Sequence, residues 1–209
     1  MSTPSLKVVV AITSPIAFHA LKNQNILHTC LESVSNFVSN YGASAHLAIA
    51  GSAEDLSHVA DIDCEKIQCN PNSAQDLVNA LRGSLPFELL MIHDSQRALT
   101  KTTQFDRVLQ ALTPDIDSVR PATAFTETLK AIDEEQCIAG TIDRNSMKRI
   151  STPELIRWAA IDFEGGNSTW FVPLKADVKT TTVDADAEST RINSEKEIEL
   201  MKHLLDWNQ

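Results

Sequence analysis

The sequence has few glycines and no paired cysteine motif, and each absence excludes a familiar site. Only six glycines occur in 209 residues, and no two of them are separated by a single residue. The dinucleotide fingerprint G-x-G-x-x-G and the Walker phosphate loop both need glycines at fixed short spacings, so neither motif is present. The four cysteines include no C-x-x-C pair. Reduced thiols of a cytoplasmic protein are therefore a simpler interpretation than a zinc site.

Positive charge and long apolar segments are also scarce. The chain has 18 Lys and Arg against 28 Asp and Glu, a net charge of −10, which argues against a general nucleic-acid or anionic-membrane binder. The apolar run at residues 8–12 is too short to span a bilayer and is a poor signal peptide. We expect one cytoplasmic domain over residues 1–209 that binds neither nucleic acid nor a membrane.

Strand and helix patterns alternate through the first half of the chain. Apolar runs predict buried strands, and spacings of three and four predict amphipathic helices. The strands are predicted at 6–12, 45–50 and 87–92, and the helices at 27–41, 73–82 and 104–112. This alternation is typical of a doubly wound α/β sheet, whose ligands bind beyond the carboxyl ends of its strands. The loops after Ile12 and Ile92 are therefore candidate sites.

The second half is less regular. Short strands are predicted at 123–130 and 137–142, joined by an acidic stretch into a projecting hairpin. Thr152-Pro153-Glu154 predicts the start of a helix that runs to about 162, because it places a capping hydroxyl, a first-turn proline and an acid in order. Further strands are predicted at 170–172 and 179–183, and a capping box at 194–197 predicts a last helix.

Two polar segments could carry chemistry. Asp94, at the end of a predicted strand, could hold a divalent cation or orient a hydroxyl, and Arg97 could bind a phosphate; a solvated turn acid beside a surface arginine is the alternative. The segment T-I-D-R-N at 141–145 could equally be a polar strand end. A hydrolase built on Ser14, His93 and Asp94 has no G-x-S-x-G elbow to support it.

Five segments together resemble the 2-C-methyl-D-erythritol 4-phosphate cytidylyltransferase family. T-I-D-R at 141–144, followed by T-P at 152–153, is similar to the family's T-x-D-R and T-P-Q at the family spacing. The other segments are similar in the same order along the chain: N-Q-N-I-L at 23–27, I-H-D-S-Q-R at 92–97, F-T-E-T-L-K at 125–130 and T-R-I-N-S at 190–194. The resemblance covers nearly the whole chain.

The resemblance implies a fold and a partner. Members of this family have a Rossmann-like three-layer α/β sandwich with a mostly parallel, twisted sheet. A β-arm projects from it, here at about 125–145, and members form homodimers through their arms. They transfer CMP from CTP to 2-C-methyl-D-erythritol 4-phosphate, a phosphorylated sugar alcohol, with Mg²⁺, in isoprenoid precursor synthesis.

The resemblance also implies the site residues. Asp94 would face the metal and the attacking alcohol, and it would act in catalysis with Arg144 and Arg191. Arg97, Thr128 and Thr152 would line the sugar-phosphate site. Of these residues, the arm region of the partner subunit would supply Arg144 and Thr152.

The nucleotide side departs from the family pattern. Residues 13–18 contain no glycine and no cation, whereas the family has a glycine-rich basic loop there, and Ile16 stands where the family has a lysine. Thr13, Ser14 and Ser73 are the residues left to contact CTP. Losing one preorganised donor or cation typically costs about 3 kcal/mol of barrier. A catalytically inactive pseudoenzyme that binds a phosphorylated metabolite or a protein partner is therefore the second hypothesis.

Overall fold

Twelve strands and five α-helices are found in the part of the chain that the computed structural model describes, residues 3–83, 87–165 and 171–207. The strands are β1 Leu6–Ala11, β2 Ala20–Leu21, β3 Gln24–Asn25, β4 Ala45–Gly51, β5 Glu65–Gln68, β6 Leu89–Asp94, β7 Ser118–Ala124, β8 Leu129–Ile132, β9 Ile138–Ile142, β10 Lys148–Ile150, β11 Glu154–Arg157 and β12 Thr180–Asp184. The helices are α1 Ile26–Tyr41, α2 Ala53–Ser57, α3 Ala74–Arg82, α4 Thr102–Gln110 and α5 Glu195–Trp207. None of the helices in these ranges is long and apolar enough to cross a membrane.

The main sheet has the order β10-β7-β11-β6-β1-β4-β5, and β12 pairs with β7. Strands β5, β4, β1 and β6 run parallel, so their carboxyl ends lie along one edge. All six residues of β1 are buried. Its side chains alternate between the two faces: Val8 and Val10 pack in one apolar cluster with α1 and α4, and Val9 packs in another with α3. The three-layer α/β sandwich is confirmed.

Helix α1 shows how local sequence sets an element's limits. The side chain of Asn25 caps its start by accepting a hydrogen bond from the backbone N–H of His28 at 2.8 Å. The helix ends at Gly42, whose φ of 93° is in the range that glycine adopts without strain. The predicted first-half strands and helices are all present, within a few residues of their expected bounds.

The helix predicted at 152–162 is wrong. Residues 154–157 form β11, which runs antiparallel between β6 and β7, and a short 3₁₀ helix, Trp158–Ala160, follows it. Glu154, Leu155 and Ile156 are buried inside the sheet, so long-range strand pairing outweighs the local capping signal. The Thr152–Pro153 peptide bond is cis and lies between β10 and β11, which both pair with β7.

Two other local predictions meet different outcomes. Of the strand predicted at 170–172, Trp170 lies outside the described residues, and Phe171 and Val172 form a bend rather than a strand. At the start of α5, Ser194 Oγ accepts from the Glu197 N–H at 3.4 Å, but the Glu197 carboxylate accepts from Asn193 N instead of completing the capping box.

Strands β8 and β9 form the arm. They pair antiparallel with each other in a sheet of their own, which confirms the predicted hairpin over a shorter range than 125–145. Asp133 closes the turn, because its Oδ1 accepts from the backbone N–H groups of Glu135 at 3.0 Å and Cys137 at 2.8 Å. Ile132 and Ile138 lie on the arm and are 52% and 68% exposed.

Candidate active site

Asp94 ends β6 at the carboxyl edge of the parallel strands, beside Ala11 of β1. It is 1% exposed, so the alternative of a solvated turn acid is wrong. Its Oδ1 accepts from Thr13 Oγ1 at 3.1 Å and from Gln96 N at 3.0 Å. Its Oδ2 accepts from Arg191 Nε at 2.6 Å. The carboxylate is therefore held in one orientation by groups from three segments of the chain.

Arg191 joins these segments into a network with Thr13, Asp94 and Gln96. Its Nη2 donates to Thr13 Oγ1 at 2.9 Å and to Gln96 Oε1. Two bonds to Gln96 fix the arginine's segment: Ile192 N donates to Gln96 O at 2.9 Å, and the side-chain Nε2 of Gln96 donates to Ile192 O. Gln96 is a site residue that the sequence did not single out.

Thr152 contacts Asp94 through its side-chain hydroxyl. It is fully buried. Its Oγ1 accepts from the Asp94 backbone N–H at 3.2 Å and lies 2.9 Å from His93 Nδ1. Burial lowers the pKa of His93 to about 4, so the imidazole is neutral at pH 7. The expectation that a partner's arm supplies Thr152 is wrong, because this residue lies in the body of the same chain as Asp94.

On one side of the network lies a cavity of about 370 Å³, here named the arginine cavity, lined by Arg97, Arg149 and Arg191 together with Ser189 and Asn193. Arg97 Nη1 donates to Ser189 O at 2.6 Å. Burial lowers the pKa of Arg97 to about 10; Asp94 opposes this shift, and the charges of Arg191 and Arg149 add to it. Arg97 is therefore cationic at pH 7.

On the other side lies a cavity of about 500 Å³ at the ends of β1, β4 and β5, here named the strand-end cavity. Thr13 and Ser14 line it, together with Glu54, Asp55 and Asn72. Asn72 Nδ2 donates to Thr13 O at 2.8 Å. Of the residues that the structure describes, no Lys or Arg lines this cavity. Thr13 thus faces the strand-end cavity while its hydroxyl contacts Arg191, which faces the arginine cavity.

Comparison with known proteins identifies the family of this chain. The family model for 2-C-methyl-D-erythritol 4-phosphate cytidylyltransferase (IspD) matches residues 10–163. The chain belongs to this family. The Clavibacter michiganensis bifunctional enzyme IspD/IspF is 35% identical over 83 residues, which are 40% of this chain and 20% of that protein. The Rhodococcus jostii cytidylyltransferase is 30% identical over 67 residues, 32% of this chain and 30% of that one. The match thus spans less than a third of either relative.

Solved structures show the same fold. The 4-diphosphocytidyl-2C-methyl-D-erythritol synthase of Anaerococcus prevotii aligns with a TM-score of 0.78 and 16% identity, over 98% of this chain and 100% of that one. The 2-C-methyl-D-erythritol 4-phosphate cytidylyltransferase of Thermus thermophilus aligns with a TM-score of 0.70 and 16% identity, over 95% and 98% of the two chains. The fold that the sequence motifs implied is confirmed.

The other residues expected from the cytidylyltransferase motifs lie away from the network. Thr128 and Arg144 are exposed residues of the arm region, and Arg144 Nη1 donates to Thr126 O at 2.5 Å. Neither lines one of the two cavities described above. Ser14 caps a short 3₁₀ helix, with its Oγ accepting from Ile16 N at 3.3 Å. Ser73 caps α3 and does not line the strand-end cavity, although its neighbour Asn72 does.

The network offers few protein ligands for Mg²⁺, which is usually held by one or two carboxylates together with substrate phosphates. Within the described ranges, no group of three or more His, Cys, Asp or Glu side chains could hold a metal ion. Asp94 is the one carboxylate of the network, and both of its oxygens already accept hydrogen bonds. Oδ2 accepts one hydrogen bond, from Arg191 Nε, and a carboxylate oxygen can take a second partner.

Proposed function

We propose that this chain transfers CMP from CTP to 2-C-methyl-D-erythritol 4-phosphate, the activity that names its family. The observation that carries the proposal is the Thr13–Asp94–Arg191 contact between the two cavities. A transferase for two ligands needs a charged group where the ligands meet. In this chain Arg191 stands at that position, with the arginine cavity on one side and Thr13 of the strand-end cavity on the other.

The product identifies the attacking atom. The similar structures are 4-diphosphocytidyl-2C-methyl-D-erythritol synthases, and the name of that product describes a phosphate–phosphate linkage. An oxygen of the sugar phosphate therefore attacks the α-phosphorus of CTP, and the bond from that phosphorus to the bridging oxygen of the leaving pyrophosphate breaks. The expectation that Asp94 faces an attacking alcohol is replaced, because a phosphate oxygen that is already ionised needs no base to remove a proton.

The roles of the chain's own residues follow from the network. Asp94 orients Arg191 through the 2.6 Å bond to Nε, and Thr13 and Gln96 fix one end of the guanidinium. A guanidinium held in this way supplies positive charge to the α-phosphoryl oxygens without reorganising during transfer. We propose that Mg²⁺, which offsets charge on triphosphates, enters with CTP rather than at a site that the protein forms beforehand.

A specific observation favours a second candidate, a pseudoenzyme that binds a phosphorylated metabolite without catalysis. The strand-end cavity, where the triphosphate would lie, is lined by Glu54 and Asp55 and by none of the described cations. The three arginines line the other cavity. This distribution of charge suits a sugar phosphate better than it suits CTP.

Pyrophosphate release separates the two candidates. The wild-type protein is assayed with CTP, Mg²⁺ and methylerythritol phosphate, with Asp94→Asn as the variant. Asparagine keeps an oxygen for Thr13 and Gln96 but has no charge to orient Arg191, so we expect turnover at least about 100-fold slower, equivalent to about 3 kcal/mol. If folded wild-type protein binds methylerythritol phosphate but releases no pyrophosphate, the result would reject the transferase and support the pseudoenzyme.

A further inference from the structure

We propose that Arg149 is a phosphate-binding residue that this chain adds to its own arginine cavity, so that the cavity takes a phosphomonoester dianion. The proposal deepens the proposed function and depends on it only for the name of the ligand. Neither the composition nor the motifs indicated Arg149, which lies between the T-I-D-R and T-P segments.

Strand pairing directs Arg149 toward the cavity. It is the middle residue of β10 and pairs with Thr123 of β7, and both residues line the arginine cavity. Ile150 and Ser151, which follow Arg149, also line the arginine cavity, whereas Lys148, which precedes it, lines neither cavity. Lys148 Nζ instead donates to Thr182 Oγ1 of β12 at 2.9 Å. The two adjacent cations therefore have different surroundings.

Of the three arginines, Arg149 is also the one whose side chain is not bonded to another described residue. Arg97 donates to Ser189 O, and Arg191 donates to Asp94. The Arg149 side chain makes no hydrogen bond or ion pair with any residue that the structure describes, and it is exposed. Its charge nevertheless reaches Arg97, where it contributes to the lowered pKa. Like charges repel each other, and an anion bound between them would offset the repulsion.

The two acids that line the cavity, Asp186 and Glu197, already have partners. Asp186 is paired with Arg107 at 2.5 Å, and Glu197 accepts from the Asn193 backbone N–H. A ligand phosphate therefore has a cation available that needs no bond to be broken first. Arginine suits this role, because its planar fork can donate two parallel hydrogen bonds to one phosphate group.

The test is binding, measured by calorimetry on the full chain with methylerythritol phosphate and with inorganic phosphate as probes. We expect Arg149→Ala to raise the Kd for both probes at least tenfold. The Kd of this variant should also change less with salt concentration, because one ion pair is lost. Arg149→Lys, which keeps the charge without the fork, recovers part of the affinity. The matched control Lys148→Ala removes the same charge one residue away and leaves the Kd within twofold.

The outcomes separate this inference from the proposed function. An Arg149→Ala protein that binds both probes as wild type does overturns the role of Arg149, whatever the pyrophosphate assay shows. A wild-type protein that binds neither probe also overturns it. Loss of affinity in Arg149→Ala, together with no pyrophosphate release by wild type, supports the cavity and rejects the transferase. Melting temperatures within about 2 °C of wild type show that the exposed substitutions leave the fold intact.

Discussion

Arg191 holds the charged network together because its nitrogens reach different partners. Nε bonds Asp94, and Nη2 bonds Thr13 and Gln96. A lysine at this position would carry the same charge at a single nitrogen and could not reproduce these contacts. If the chain is a transferase, Arg191→Lys should keep measurable pyrophosphate release at roughly a tenth of wild type, and Arg191→Ala should lose at least about 100-fold in kcat/KM. Wild-type rates in Arg191→Ala would contradict the role assigned to the guanidinium.

His93 makes the stability of the site depend on pH. Burial lowers its pKa from 6.5 to about 4 in the folded protein, so between these values the unfolded chain binds more protons. The stabilisation is present above pH 6.5 and is lost as the pH falls toward 4, by up to about 3 kcal/mol. Urea unfolding from pH 7 to 4 should show this loss in wild type but not in His93→Asn, whose Oδ1 can replace Nδ1 beside Thr152.

The comparison of the two proteins isolates His93 from other titrating groups. Burial raises the pKa of Glu154, which changes stability with pH in the opposite sense, but that group is present in both proteins and cancels in the difference. The variant also loses the ring contact between His93 and Phe105, a cost that does not vary with pH. Parallel pH profiles for the two proteins would show that His93 is not the titrating group.

At the scale of elements, the sequence predicted the strands and helices whose burial shows in their own residue pattern. Strand β1 is apolar apart from Lys7, because both of its faces are buried. Residues 152–162 misled the prediction, because their capping signals are local and their strand pairing with β6 and β7 is not. In the site, Asp94 was predictable from its place at a strand end, whereas its bond to Arg191 joins loops 97 residues apart. The orientation of Arg149 depends on the register of a three-residue strand, which no periodicity reveals.

The arm offers apolar surface for a second copy of the chain. Ile138, at 68% exposure, lies on β9, opposite Ile132 of β8. If homodimers form through the arms, as the resemblance implied, Ile138→Asp should convert dimer to monomer in sedimentation analysis, because it places a charge in an apolar contact. Leu200→Asp on α5, where Leu200 is 60% exposed, is the matched control and should leave the dimer intact. A wild-type protein that is monomeric would reject the arm interface.

At the scale of the whole molecule, charge is distributed unevenly around the network. The chain carries a net charge of −10, yet three arginines line one cavity, with Asp186 and Glu197 beside them, while Glu54 and Asp55 line the other without a described Lys or Arg. An anion should therefore bind far more readily on the arginine side. Asp55 is bonded to Ser52 at the start of α2, which leaves Glu54 as the acid whose removal disturbs least.

Glu54→Gln tests whether a triphosphate enters the strand-end cavity. Two unit charges about 4 Å apart in water interact by about 1 kcal/mol, so removing Glu54 should lower the Kd for CTP with Mg²⁺ by roughly two- to fivefold, more at low salt. Glu199→Gln changes the net charge equally, but Glu199 lines neither of these two cavities, and this variant should bind CTP as wild type does. An equal gain in both variants would indicate attraction by the overall charge alone. No gain in Glu54→Gln would place the triphosphate elsewhere and remove the physical argument for a weakened CTP site.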